Sequence, residues 1–335
     1  MDSQFTVPKL SLCMIVKNEE EYLPKCLQSV NGIADEIILI DTGSTDSTIR
    51  IAERFNARII RYEWHDDFAE ARNVSLEAAS GEWILVLDAD EELPFETRNK
   101  IKGMTNESDA DGIELLIRSE LPDGDAALYD ESRIVRLFRR RKEFRYIMPI
   151  HEQIRQSIED AGGKIAASNI VIVHHGYSRK EVQGKENRAE RNLGMLYHAV
   201  SDSPSDPYLH YQIGATLMSI GKRDDAYIEL NKVLDLHYER LGPSILDKLF
   251  MKVSQLLLEN NNYGEAIKFA EKSLLYNSNN SVSQYVAAIG YLSQNKIREG
   301  YSYLLKIRGS REVSIRLDKQ FGELIAACEK LLAHS

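Results

Sequence analysis

Apolar positions recur in two rhythms along this chain, and the change from one to the other divides it. Residues 9–16 (KLSLCMIV) and 36–41 (EIILID) are short β-rich runs, and 18–31 between them carries Tyr22, Leu23, Cys26, Leu27 and Val30 at helical spacing. After Asp41 the small polar turn TGSTDST can cap a second helix whose apolar side is Ile49, Ile51, Ala52 and Phe55. A third strand is expected at 57–62 and a helix at 68–79, which Gly81 stops; Trp83 to Leu87 then reads as a buried strand ending in Asp88. Such β-α-β-α-β-α-β alternation predicts a mainly parallel sheet with helices on both faces, and ligands outside the carboxyl ends of its strands. Asp41 and Asp88 stand at two such ends.

From about 110 to 175 strand-like pieces follow one another (GIELLIRS, RIVRLFRR, NIVIVHH), which predicts a mixed extension of the same sheet. From Ser178 onward only amphipathic helical pairs remain. Gly214, Ala226 and Leu230 align with Ser254, Ala266 and Ala270, and again with Ala288, Gly300 and Leu304, at offsets near the period of about 34 residues of tetratricopeptide (TPR) hairpins. The expected organisation is an α/β domain at 1–178 and an all-α, TPR-like domain at 179–335, with SDSPSDP at 201–207 as a linker-like stretch.

Composition narrows the function classes. The 335 residues are 43% hydrophobic and 28% charged, as in a globular protein with a real core. No apolar run approaches the roughly 20 residues of a membrane span. The N-terminal stretch lacks a basic segment ahead of an apolar one, so no secretory signal is read there. Three cysteines without metal spacing fit a reducing, cytoplasmic setting. The net charge of −10 is uneven: residues 1–178 hold 21 Lys/Arg against 33 Asp/Glu, whereas 179–335 hold 21 against 19. That acidity argues against nucleic acid and anionic membrane as partners, and it permits a divalent cation.

Two carboxylates at i and i+2 on an extended segment face one way, so Asp88 and Asp90 of Asp88-Ala89-Asp90 can share a ligand such as Mg²⁺ or Mn²⁺. Asp41 can accept from ribose hydroxyls or a base N–H, since Asp46 or Ser47 suffices to cap the following helix. The basic run 133–145 carries seven Lys/Arg against one Glu, which could offset those carboxylates toward an anionic donor.

Met14-Ile15-Val16-Lys17-Asn18-Glu19-Glu20, Asp41-Thr42-Gly43-Ser44-Thr45-Asp46, Ala71-Arg72-Asn73 and Asp88-Ala89-Asp90 occur in this order and resemble the family 2 glycosyltransferases of GT-A fold, a Rossmann-like architecture. The resemblance implies that Val16, Glu19, Asp41, Arg72, Asp88 and Ala89 meet the nucleotide sugar and that Asp90 binds the metal; Thr42 stands where many members have a second Asp. The later order of Arg136-Leu137-Phe138, Ile150-His151-Glu152, His174-x-Gly176-Tyr177, Lys185 to Asn192 and TPR-like hairpins is similar to a bacterial branch that includes the peptide S-glycosyltransferases of glycocin (sublancin-type) bacteriocin pathways. It implies a hexose, glucose above all, moved from a UDP-sugar to a Cys or Ser of a peptide or protein.

Within that frame Glu152 is the best-placed carboxylate for a general base of inverting transfer, with His151 to orient it or to touch sugar or acceptor. Strand alternation and the family's H-x-G-Y favour His174 over His175 as a second metal ligand, and Arg136, the arginine of the R-L-F match, is the expected donor or acceptor contact. Two other readings stay open. The acceptor could be a glycan or lipid carrier, with the helices serving a homodimer, or the chain could be a non-catalytic TPR scaffold.

Overall fold

The computed structural model describes residues 9–120, 129–175, 185–308 and 318–333. The chain divides into two compact units, Met1–Arg188 and Ala189–Ser335. The division expected at 178 lies outside the described residues, as do Gly176 and Tyr177.

The first unit is built on β1 (Leu10–Val16), β2 (Glu36–Asp41), β3 (Arg58–Arg61), β4 (Trp83–Val86), β5 (Glu91–Glu92), β6 (Gly112–Glu120), β7 (Tyr129–Arg139) and β8 (Ile165–His174). They form one sheet in the order β3-β2-β1-β4-β7-β6-β8-β5. β1 pairs parallel with both β2 and β4, and β2 with β3. β7 enters antiparallel to β4 and β6, and β8 returns parallel to β6. The sheet is therefore mixed, as expected, with its parallel half first.

The continuous apolar strands have a simple cause: both faces are covered. Leu12, Met14 and Val16 of β1 enter one core, whereas Cys13 of the same strand enters the other. Helices α1 (Leu23–Ser29) and α4 (Phe95–Glu107) contribute Leu23, Leu27 and Ile101 to the first core, and α3 (Phe68–Ala78) and α5 (Arg155–Asp160) contribute Ala71, Leu76 and Ile158 to the second. α2 (Thr48–Arg54) adds Ala52 to the first. α4 has little helical periodicity in the sequence because its buried side is narrow: of its residues Thr97, Ile101 and Thr105 alone are buried. No described helix is long and apolar enough to cross a membrane.

The second unit contains three helical hairpins, Pro207–Ser219 with Arg223–Asp235, Pro243–Glu259 with Tyr263–Tyr276, and Ser281–Ser293 with Ile297–Ile307. The aligned small positions are their contact points. Ala226, Leu230, Ser254, Ala266, Ala270, Ala288 and Leu304 are fully buried. A β-carbon on Gly214 would lie 2.6 Å from Leu230 Cγ, and one on Gly300 2.6 Å from Leu292 Cγ and 3.0 Å from the Ala288 carbonyl. Close helix approach requires glycine at both. Asp206, in the linker-like stretch, caps the first hairpin by accepting from Tyr208 N–H at 2.8 Å.

Candidate active site

The parallel half of the sheet aligns its carboxyl ends: Val16 registers with Asp41. The loops that follow are tied to each other. Asn18, at φ 57°, accepts from Thr45 N–H at 2.7 Å, Glu19 N–H donates to Thr48 Oγ1 at 2.7 Å, and Glu20 N–H donates to Asp46 Oδ2 at 3.1 Å. The N-cap of the following helix is Ser47, whose side chain makes no capping hydrogen bond, and Asp46 just before it accepts from Thr48 N–H at 2.9 Å. Asp41 is buried, and its Oδ1 accepts from Ser44 N–H at 2.9 Å, so one carboxylate oxygen shapes the turn and is not wholly free for a ligand.

Asp88 to Glu91 departs from the extended segment expected of it. It is a turn, closed by Glu91 N–H on Asp88 O at 3.0 Å, and it sends the two aspartates to different partners. Asp88 Oδ1 accepts from Arg72 Nη2 at 2.7 Å and Oδ2 from Arg136 Nη2 at 2.8 Å. Arg72 Nε reaches Glu152 Oε1 at 2.6 Å, and Arg136 Nη2 also reaches Glu91 Oε1 at 2.7 Å. Charges of alternating sign thus run Glu91, Arg136, Asp88, Arg72, Glu152. Ala89, at the turn's centre, is buried.

These pairings set the protonation states. Burial alone would raise Asp88, but Arg136 and Arg72 hold its carboxyl well below the usual range. Burial pushes Glu91 up to about 7 against the pull of Arg136. Arg72 is buried too, yet Asp88 and Glu152 hold it firmly cationic. Glu91 has no distinguishing sequence signal because its role lies in burial: at 2% exposure it accepts Asp88 N–H at 2.9 Å and anchors Arg136.

Asp90 turns instead to His174 at the end of β8. Its Oδ2 lies 3.1 Å from His174 Nε2, and His174 Nδ1 lies 3.1 Å from Ser119 Oγ. The Asp90 hydrogen bond raises the His174 pKa against the effect of burial. His175 goes elsewhere, to Glu92 Oε2 at 3.0 Å, in a cluster with Lys25. Among the described residues no three His, Cys, Asp or Glu side chains converge as a metal cage.

The segment carrying Glu152 is fixed from α3. Asn73 Nδ2 donates to Tyr146 O and Asn73 Oδ1 accepts from Tyr146 N–H, both at 2.9 Å, and Phe68 N–H donates to Pro149 O at 2.8 Å. Neighbouring Asn73 and Arg72 thus hold the loop and its carboxylate respectively. Met148 and His151 take positive φ values of 76° and 53°, unusual for residues with side chains. His151 is exposed and makes no hydrogen bond among the described residues; Arg72 is the group that orients Glu152.

The basic run disperses. Arg136 alone of its seven joins the carboxylates; Arg133 donates to Ser168 O at 2.6 Å, Arg139 stacks 4.6 Å over Trp83, and Arg140 Nε donates to Gly81 O at 2.8 Å. The cationic groups of the site are Arg136 and, from α3, Arg72, set against Asp88, Glu91 and Glu152.

Residues 11–147 match the family Glycosyl transferase family 2. They contain Asp41, Arg72, Asp88, Asp90 and Arg136 at the carboxyl edge just described. This segment is a family 2 glycosyltransferase domain. The chain is also 39% identical over 219 residues to a TPR repeat-containing protein of Synechococcus elongatus, covering 64% of this chain and 53% of that one. It is 28% identical over 260 residues to the SPbeta prophage-derived glycosyltransferase SunS of Bacillus subtilis, covering 76% and 60% respectively. The chain therefore spans between half and two thirds of the length of these two relatives. Among solved structures, TarS of S. aureus is similar at 14% identity and a TM-score of 0.43, over 89% of this chain and 55% of that one. Glu152 and His174 lie beyond the span of the glycosyltransferase match.

Proposed function

We propose that this protein is an inverting, metal-dependent glycosyltransferase that moves a hexose from a UDP-sugar, UDP-glucose foremost, to a Cys or Ser of a peptide or protein in the cytoplasm. The observation that carries this reading is the array in which one arginine, Arg72, holds both Asp88 and Glu152 while Asp90 meets His174 beside them. Val16, Glu19 and Asp41 line the nucleotide end, Arg72 and Arg136 offset its charge, and the helical unit at 179–335 takes the acceptor.

The pair Asp90 and His174 fits Mg²⁺ or Mn²⁺. Two cis ligands of an octahedral ion with bonds of about 2.1 Å are about 3 Å apart. The observed Oδ2 to Nε2 distance is 3.1 Å. These two would hold the ion, with phosphate and water oxygens as its remaining ligands. Bound there, it would neutralise charge on the leaving diphosphate. Glu152, whose Oε2 has no partner among the described residues, accepts the acceptor's proton, while Arg72 keeps the carboxylate aimed.

His174 makes the metal dependence sensitive to pH. Its pKa is raised above the usual 6.5, so the imidazolium pair with Asp90 contributes stability below that value and loses it as pH rises through the raised one. A metal needs the neutral ring. Thermal stabilisation by Mn²⁺ should thus be small near about pH 5.5 and grow toward about pH 8; a larger shift at the acid end would exclude His174 as a ligand.

The direct test incubates the protein with Mg²⁺ or Mn²⁺, a panel of UDP- and GDP-sugars and candidate peptides, and reads intact mass. A hexose increment on one peptide is expected, and thiol alkylation tells Cys from Ser. Sugar found only on lipid or oligosaccharide would replace the acceptor in this reading.

A further inference from the structure

Four members of the basic run that do not reach the carboxylates, Arg140, Arg141, Lys142 and Arg145, line a cavity of about 230 Å³. Phe138 and Phe144, both buried, form part of its wall, and Glu77 is the one carboxylate among its described lining residues. Arg141 is paired with Asp111 at 2.5 Å and Arg145 only loosely with Glu77 at 3.5 Å. Arg140 spends its Nε on the Gly81 carbonyl, so its two terminal nitrogens and Lys142 Nζ have no partner among the described residues.

This cavity is separate from the carboxylate array. β7 runs antiparallel to β4 with Arg139 opposite Trp83, so the residues after Arg139 sit at the start of β4, whereas Asp88 follows its end. Five residues of strand put the cationic residues after Arg139 about 17 Å from Asp88, while Phe138 of the cavity wall stands two residues from Arg136 of the array. α3 borders both, with Arg72 at the array and Leu76 and Glu77 at the cavity.

Size and charge together select the ligand. Pockets for whole small molecules run from about 300 to 1,000 Å³, so 230 Å³ suits one side chain rather than a nucleotide sugar. A long polyanion, nucleic acid or an anionic bilayer, would also meet the surrounding surface of a half that carries 33 acidic against 21 basic residues. A short acidic segment meets only the local cations. We infer that this cavity docks an acidic stretch of a peptide, with one apolar side chain entering beside Phe138 and Phe144 and flanking carboxylates on Arg140 and Lys142. The stretch belongs to the acceptor, an assignment that rests on the peptide reading above; at about 3.3 Å per residue it would lie roughly five residues from the modified side chain.

Fluorescence anisotropy of the full chain, without donor or metal, tests docking apart from transfer. The probe is a labelled peptide of alternating Glu and Asp around a central Leu, with its Gln/Asn counterpart as control. The acidic peptide should bind at least about tenfold more tightly than the neutral one, and salt should weaken it. Arg140→Glu/Lys142→Glu should abolish the preference, and Lys142→Glu alone, at an exposed side chain without a partner, should reduce it. Equal binding of both peptides, wild-type affinity in the double variant, or preferential capture by phosphatidylserine vesicles would overturn the inference. A protein that docks the acidic peptide yet transfers no sugar keeps this site and loses the transferase reading; transfer to acidic and neutral peptides alike does the reverse.

Discussion

Arg72→Met should lower the stability of the first unit by about 3 kcal/mol and remove transfer activity. Removing one partner of a buried ion pair costs roughly 3–5 kcal/mol because the other charge is left uncompensated. The two carboxylates that Arg72 holds are unequal in this respect. Asp88 keeps 39% of its side chain exposed and retains Arg136, so water and the second guanidinium can compensate it. Glu152 is only 14% exposed, and Arg72 is its ion-pair partner among the described residues. Most of the loss therefore arises at Glu152, which places it at the lower end of the range. Arg72→Lys should rescue little: Nε serves Glu152 while Nη2 serves Asp88, and a single ammonium cannot reproduce that fork. Adding Glu152→Gln to Arg72→Met should recover part of the denaturation midpoint and none of the activity. A midpoint unchanged by Arg72→Met would show that Glu152 is better solvated than the structure has it.

What could be read in the sequence, and what could not, follows from the range of the forces involved. β1, β2 and β4 were legible because a strand buried on both faces must be continuously apolar, and the hairpins were legible because close helix approach leaves small residues at a fixed period. Asp41 and Asp88 were legible by position, each at the end of such a strand. The pairing partners were not. Arg72 and Glu152 are 80 residues apart, and Arg136 and Glu91 are 45 apart; only the β4–β7 pairing and the course of α3 bring them together. Local periodicity carries no signal for those distances. The one available hint for Glu91 was its place directly after Asp90, where an acidic neighbour reads equally well as solvated surface. A shared face for Asp88 and Asp90 rests on the assumption of extended backbone. The Asp88–Glu91 turn removes that assumption and divides them between the arginines and His174.

Glu152→Gln separates a base from a merely structural carboxylate, because the two acceptor chemistries differ in how much help they need. A positioned general base contributes about 10²–10⁴-fold to a step that removes a proton. A serine hydroxyl needs all of it. A cysteine thiol, with a pKa near 8.5, already supplies a few per cent of thiolate at about pH 7 and about half at pH 8.5. With the amide in place, transfer to a serine peptide should fall by about 10²–10⁴ at every pH. Transfer to the matched cysteine peptide should fall far less at pH 7 and approach the wild-type rate as the pH is raised through about 8.5. The amide keeps the size of the side chain and an oxygen for Arg72 Nε, now 2.6 Å from Oε1, so the loop should stay in place and UDP affinity should hold. A structural role predicts another pattern, in which both peptides lose the same factor at all pH values. Equal losses would therefore remove Glu152 as the base, and because Arg72 joins it to Asp88, they would mark the whole alternating chain as a scaffold for the donor end of the site.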